Sequence, residues 1–187
     1  MANTPSNMLP LGTKAPDFKL LDTTTNEYKA LSELQGRLGT VIMFICNHCP
    51  FVKHLNASIS QLAKKYQPKG INFIAISSND VENYPQDSPQ LMTLVSQEAG
   101  YTFPYLYDSS QEVAKAYDAA CTPDFYLFDP KLLLVYRGQY DSSRPGNEIP
   151  VTGQDLKQAM DSLIDGTAIS EVQKPSMGCN IKWKKAK

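Results

Sequence analysis

The chain has 187 residues, 42% of them hydrophobic and 20% charged, with a formal net charge of −1. This balance suits one globular domain and excludes a strongly basic surface for nucleic acid. Residues 1–7 lack the basic and then apolar pattern of a signal peptide, and the longest apolar run, Val41 to Cys46, is too short to span a bilayer. The expected setting is therefore the cytoplasm, with no nucleic-acid partner and no membrane partner.

Residues 1–187 are expected to form a single domain, with 1–16 as an irregular leader and 166–187 as a tail. Phe18 to Leu21 and the region of Tyr28 predict two short strands around the polar turn Thr23 to Asn26. Thr40 to Cys46 is continuously apolar and β-branched, as a strand buried on both faces would be. Phe51, Leu55, Ile59, Leu62 and Tyr66 then recur at helical spacing. Ile71 to Ser77 reads as a second buried strand, completing a β-α-β unit with the right-handed crossover that parallel strands require.

Residues 79–90 read as a loop, with Pro85 and Pro89 among polar residues. Leu91, Leu94 and Val95 predict a helix, Tyr105 to Tyr107 a strand, and Val113, Ala114 and Tyr117 another helix. Asp124 to Phe128 and Leu132 to Tyr136 predict an antiparallel hairpin turning at Asp129-Pro130-Lys131. Thr152-Gly-Gln-Asp155 has capping-box spacing and predicts the start of a last helix carrying Leu156, Ala159, Met160, Leu163 and Ile164. This order suits a central mixed sheet with helices on both faces. Lys182, Lys184, Lys185 and Lys187 read as a solvated basic end.

Four cysteines in a reducing compartment point to redox or metal chemistry rather than structural disulfides. Two of them lie in Phe44-Ile-Cys-Asn-His-Cys-Pro50, between a buried strand and a helix. Pro50 suits a first helical position, and backbone N–H groups at a helix start stabilise a thiolate. His48, between Cys46 and Cys49, adds positive charge when protonated. The spacing therefore fits reversible oxidation. Metal binding stays open as a second reading, although no second C-x-x-C exists and no histidine follows His54. Two inert buried cysteines are a third. No metal and no bound cofactor is expected; the redox group would be a Cys46–Cys49 disulfide.

Cys121-Thr122-Pro123-Asp124 stands before a predicted strand, where an X-Pro bond is a candidate for the cis form. With the C-x-x-C it resembles the thioredoxin-fold superfamily, in which a cis-proline packs against the cysteine pair. The resemblance implies a three-layer α/β/α sandwich with an N-terminal extension and an insertion before the cis-Pro loop. It also implies that the Thr122 backbone pairs with a bound substrate strand. Gly12-Thr-Lys-Ala-Pro-Asp-Phe18 resembles the start of the peroxiredoxin and AhpC/TSA group. Ile76-Ser-Ser-Asn-Asp80, Ser143-Arg-Pro-Gly146 and Gly178-Cys-Asn-Ile-Lys-Trp183 are similar to segments of a peroxiredoxin-like subfamily.

In that group the peroxidatic cysteine corresponds to Cys49, preceded three residues earlier by a threonine and served by an arginine. Here Cys46 replaces the threonine, and Cys121-Thr122-Pro123 stands where the arginine is expected. Disulfide exchange needs only a nucleophile, a resolving thiol and a docking surface. The reading is therefore a thiol-disulfide oxidoreductase in which Cys46, as the more exposed member, attacks and Cys49 resolves. Asn47, His48, Pro50, Thr122 and Pro123 would line the site. The substrate would be a protein or small-molecule disulfide, and the electron donor thioredoxin with its reductase, or glutathione. The alternatives are a thiol peroxidase using Cys49, and a redox sensor or metal-binding module without turnover.

Around this pair, Cys121 and Cys179 are possible extra redox thiols, each with a plain buried role as the competing reading. Asp124 is a candidate proton acceptor for Cys49 or a turn residue. Asn79 and Asp80 either meet substrate or cap the next turn. Arg144 either lines the groove or is solvated, and Trp183 is expected to anchor the tail.

Overall fold

The computed structural model describes residues 3–185, so Lys187 of the basic end lies outside the described residues. The strands β1 (Asn3–Pro5), β2 (Lys19–Asp22) and β3 (Glu27–Ala30) lead into a one-turn helix α1 (Leu31–Leu34). Next come β4 (Gly39–Phe44), α2 (Pro50–Tyr66), β5 (Ile71–Ser77), α3 (Pro89–Ala99), β6 (Tyr105–Tyr107) and α4 (Glu112–Ala116). The chain continues through β7 (Cys121–Thr122), β8 (Asp124–Phe128), β9 (Leu134–Gly138), α5 (Gln154–Asp165) and β10 (Met177–Asn180).

The seven-stranded sheet has the order β3-β2-β6-β5-β4-β8-β9. β4 lies parallel to β5 and antiparallel to β8, so the sheet is mixed, as expected. β4 alternates between the two faces of the sheet, and both are covered. Val41 and Met43 meet α2 and α5 through Leu55, Ile59, Leu156 and Met160. Ile42 and Phe44 meet the opposite layer, with Leu31, Ala114 and Tyr117. Each such fully buried large side chain contributes about 1.5–3 kcal/mol. The result is the α/β/α sandwich of the thioredoxin-like fold.

Four local expectations are corrected. The leader is not wholly irregular: β1 pairs antiparallel with β10, which also pairs with β7, forming a second, three-stranded sheet. The buried face of α3 is set by Met92 and Ser96, while Leu91 and Leu94 are exposed. The second hairpin strand begins at Leu134 rather than Leu132, because Asp129 Oδ1 holds the Lys131 and Leu133 amides in a longer turn. The capping box at Thr152 does not form. Asp141 Oδ2 instead accepts from the Thr152 and Gly153 amides at 2.7 Å each, just before α5 starts. Gly153 has φ +65°, and a Cβ there would stand 2.6 Å from the Tyr140 ring.

Among the described residues no helix is long and apolar enough to cross a membrane.

Candidate active site

β4 ends at Phe44 and α2 begins at Pro50, so residues 45–49 turn at the C-terminal edge of the central strand. Cys49 is the N-cap of α2, with extended backbone, and the exposed Pro50 is its first residue. The Thr122-Pro123 peptide bond is cis, as expected. Both cysteine sulfurs lie against Thr122.

Thr122 offers a different group to each sulfur. Its hydroxyl Oγ1 lies 3.4 Å from Cys46 Sγ, and its carbonyl lies 3.1 Å from Cys49 Sγ, within reach of the thiol proton. The two thiols are near enough for each to shift the acidity of the other. The expectation that Cys46 is the exposed member fails: Cys46 and Cys49 are 1% and 0% exposed. Hydrogen bonding from Cys46 is the main cause that holds Cys49 well below the usual thiol range, with further help from the Cys179 thiol and the Val52 and Cys179 amides. The same Cys49 contact, then burial, pushes Cys46 well above it, while the Thr122 hydroxyl pulls it back. The contact between the two sulfurs thus lowers Cys49 and raises Cys46.

One residue that the sequence reading missed organises this turn. Asp87, in a short 3-10 turn Pro85–Asp87, is fully buried. Its Oδ1 accepts from the amides of Asn47 and His48 at 2.8 and 3.3 Å. Its Oδ2 lies 2.6 Å from His48 Nδ1 and accepts from Asn79 Nδ2 at 2.8 Å. His48 stacks on Tyr84, and its Nδ1 lies 4.0 Å from Cys46 Sγ. Asn47 donates to the Gln86 carbonyl and accepts from the buried Tyr105 hydroxyl. No local motif marks Asp87, because it stands in a polar loop 39 residues after His48.

Cys46, His48 and Asp87 place one sulfur, one nitrogen and one carboxylate oxygen within 4.8 Å of one another. These are the donors that could hold a metal. An ion there would have to displace the proton shared by His48 and Asp87.

The remaining candidates separate. Cys179 joins the buried cluster of Cys46 and Cys49. Cys121 is buried beside the Pro123 carbonyl, to which it donates at 3.6 Å, and burial raises it far above the thiol range. Asp124 is fully buried, and burial pushes it up to about 8. It bonds Tyr126, whose ring belongs to the sheet face opposite Cys49, so the structure does not bring it to that thiol. Asn79 ties Asp87 to the Lys182 amide, and Asp80 caps the next turn through Glu82 and Asn83. Arg144 is committed to the Asp141 and Ser143 carbonyls and to Gln139, at 2.6–2.7 Å. Trp183 is 39% exposed; the tail is anchored instead at Lys182, whose carbonyl accepts from the Asp80 amide and whose amide donates to Asn79 Oδ1.

Comparison with known proteins agrees with this architecture. Over its whole length the chain is similar to an uncharacterized conserved protein from Geobacillus kaustophilus, at 56% identity and a TM-score of 0.98, covering 99% of that chain. The thioredoxin domain of a thiol-disulfide oxidoreductase from Bacteroides vulgatus shares the fold, with a TM-score of 0.62 at 16% identity over 83% of this chain and 99% of its own. The thiol-disulfide oxidoreductase ResA of Geobacillus thermodenitrificans is 25% identical over 154 residues, 82% of this chain and 78% of ResA. The AhpC/TSA family model matches residues 11–137, from the leader through β9, and the chain belongs to the AhpC/TSA family.

Proposed function

We propose that the protein is a thiol-disulfide oxidoreductase working through the Cys46/Cys49 dithiol. The observation that carries this reading is the double use of Thr122. If Cys46 gives its proton to Cys49, both products find partners. The new Cys49 thiol faces the Thr122 carbonyl, and the new Cys46 thiolate faces the Thr122 hydroxyl. Cys46 also adjoins His48, the partly exposed member of the turn.

Cys46 then attacks a substrate disulfide, forming a mixed disulfide and releasing one substrate thiolate. Cys49 gives its proton to that substrate thiolate and, now a thiolate, attacks the Cys46 sulfur, forms the Cys46–Cys49 bond and releases the second substrate thiolate. An external thiol donor, thioredoxin-like or glutathione, restores the dithiol. The Thr122 edge that the resemblance assigns to a substrate strand is taken by β10 of the same chain. This favours small disulfides over extended polypeptides as substrates.

The Cys49 thiolate at a helix start also favours a peroxidatic reading. Against it, Arg144 is turned away into its own loop, leaving no guanidinium assigned to a developing alkoxide.

The test is trapping. A Cys49→Ser variant should hold a mixed disulfide at Cys46 when treated with oxidised glutathione, read by peptide mass mapping. Catalytic peroxide consumption that survives Cys46→Ser and is lost in Cys49→Ser would replace this reading with the peroxidase. Oxidation without turnover would leave a sensor.

A further inference from the structure

Strand β10 lies directly on the cis-proline loop. In the ladder Cys179 pairs with Thr122 and Asn180 with Cys121, and the Ile181 amide extends it to the Ala120 carbonyl at 3.1 Å. The approach is so close that a Cβ on Gly178 would stand 2.0 Å from the Thr122 carbonyl oxygen and 3.1 Å from Pro123 N. Only glycine permits it. That same Thr122 carbonyl is 3.1 Å from Cys49 Sγ. Cys179 is 2% exposed and shares one buried cluster with Cys46 and Cys49. In the ladder it stands opposite Thr122, whose carbonyl meets Cys49. Cys49 therefore shares one buried cluster with Cys46 of its own turn and with Cys179 of β10.

We infer that Cys179 is a third redox thiol, presented to Cys49 on β10 as an internal docked substrate. This rests on the dithiol reading and extends it. Once substrate reduction has produced the Cys46–Cys49 disulfide, the Cys179 sulfur attacks Cys49. A Cys49–Cys179 bond forms, the Cys46–Cys49 bond breaks, and Cys46 leaves as thiolate and takes up the proton lost by Cys179. The exchange needs no further oxidant, because the number of disulfides is unchanged. It moves the oxidised pair from the His48 side of the cleft onto the C-terminal strand. It also cross-links that strand to the start of α2.

Acid-quenched peptide mapping tests this. Wild-type protein oxidised with limiting oxidised glutathione should yield both Cys46–Cys49 and Cys49–Cys179 linked peptides. Cys46→Ser protein, oxidised with the small thiol oxidant diamide, should lose both remaining thiols of the cluster and yield the Cys49–Cys179 peptide alone. Full alkylation of Cys179 after oxidation, in both proteins, would overturn the inference. That outcome remains distinct from failure of the dithiol reading, which shows as absence of the Cys46 mixed disulfide in Cys49→Ser. Circular dichroism of Cys46→Ser establishes that it is folded.

Discussion

His48 Nδ1 lies 2.6 Å from Asp87 Oδ2, and this contact joins the cysteine turn to a loop remote in sequence. Asp87 does more than hold one ring. The same carboxylate receives the Asn47 and His48 amides and the Asn79 side chain. A fully buried carboxyl group facing several donors is tolerated because all of them are satisfied at once.

Asp87→Asn keeps the volume but swaps one acceptor for a donor. Disulfide turnover should fall about tenfold or more, up to about a hundredfold, as expected for misplaced reacting groups. Asp87→Ala leaves the donors unpaired and should also cost about 1–3 kcal/mol of stability. Turnover of a model disulfide and urea unfolding, measured on both variants, separate positioning from stability. Unchanged turnover in Asp87→Asn would remove Asp87 from the mechanism.

Thr122→Val deletes the hydroxyl facing Cys46 but leaves the carbonyl facing Cys49. A hydrogen bond to a charged group contributes about 1.5–3 kcal/mol. The rate of attack on a model disulfide at neutral pH should fall about tenfold or more. Thr122→Ser, which restores the hydroxyl, should recover most of it. Stopped-flow rates from pH 6 to pH 10 should show the valine variant slower throughout, because Cys46 lies well above the usual thiol range and loses the hydroxyl that lowers it. Equal rates throughout would show that the Oγ1 contact is passive.

Gly178→Ala forces a methyl group into the Thr122 carbonyl, which is backbone and cannot swing aside. β10 must lift from β7, at a cost of about 1–3 kcal/mol. Thermal unfolding should shift downward, and Cys179 should react faster with a thiol reagent in the folded protein. Wild-type reactivity at Cys179 would mean that the strand accommodates the methyl in place.

Asp124 gives a pH signature independent of the cysteines. Its ordinary value is 3.8, and burial raises it to about 8 in the fold. Between those values the folded state holds a proton that the unfolded chain has lost. The stability contributed by this group is therefore complete below about pH 4 and is lost as pH rises to about 8. Asp124→Asn should remove that slope, so its stability relative to wild type should improve from pH 5 to pH 9. Parallel unfolding midpoints for the two proteins across that range would contradict the raised value.

Much of this was legible locally. The buried run at residues 40–46, the helical spacing of Leu55, Ile59, Leu62 and Tyr66, and the Cys46/Cys49 and Thr122-Pro123 motifs each carry their signal within a few residues. Periodicity fails where an element is short or its partner distant. The three residues of β1 and four of β10 show no alternation long enough to read, and they become strands only because each completes the other's hydrogen bonds. The helix expected from Leu91, Leu94 and Val95 forms as α3, but spacing alone does not tell that Met92 is buried while Leu91 and Leu94 are exposed.

The sequence by itself determined the β-α-β framework and the position of a redox turn at its edge, because these depend on side-chain pattern and on residues close along the chain. Only the tertiary structure decided which groups surround the sulfurs. Asp87 reaches His48 across 39 residues, Thr122 reaches Cys46 across 76, and β10 brings Cys179 to Cys49 over a gap that only a glycine leaves open. Hydrogen-bond partners at such distances leave no periodic trace, yet they shift the acidity of the sulfurs.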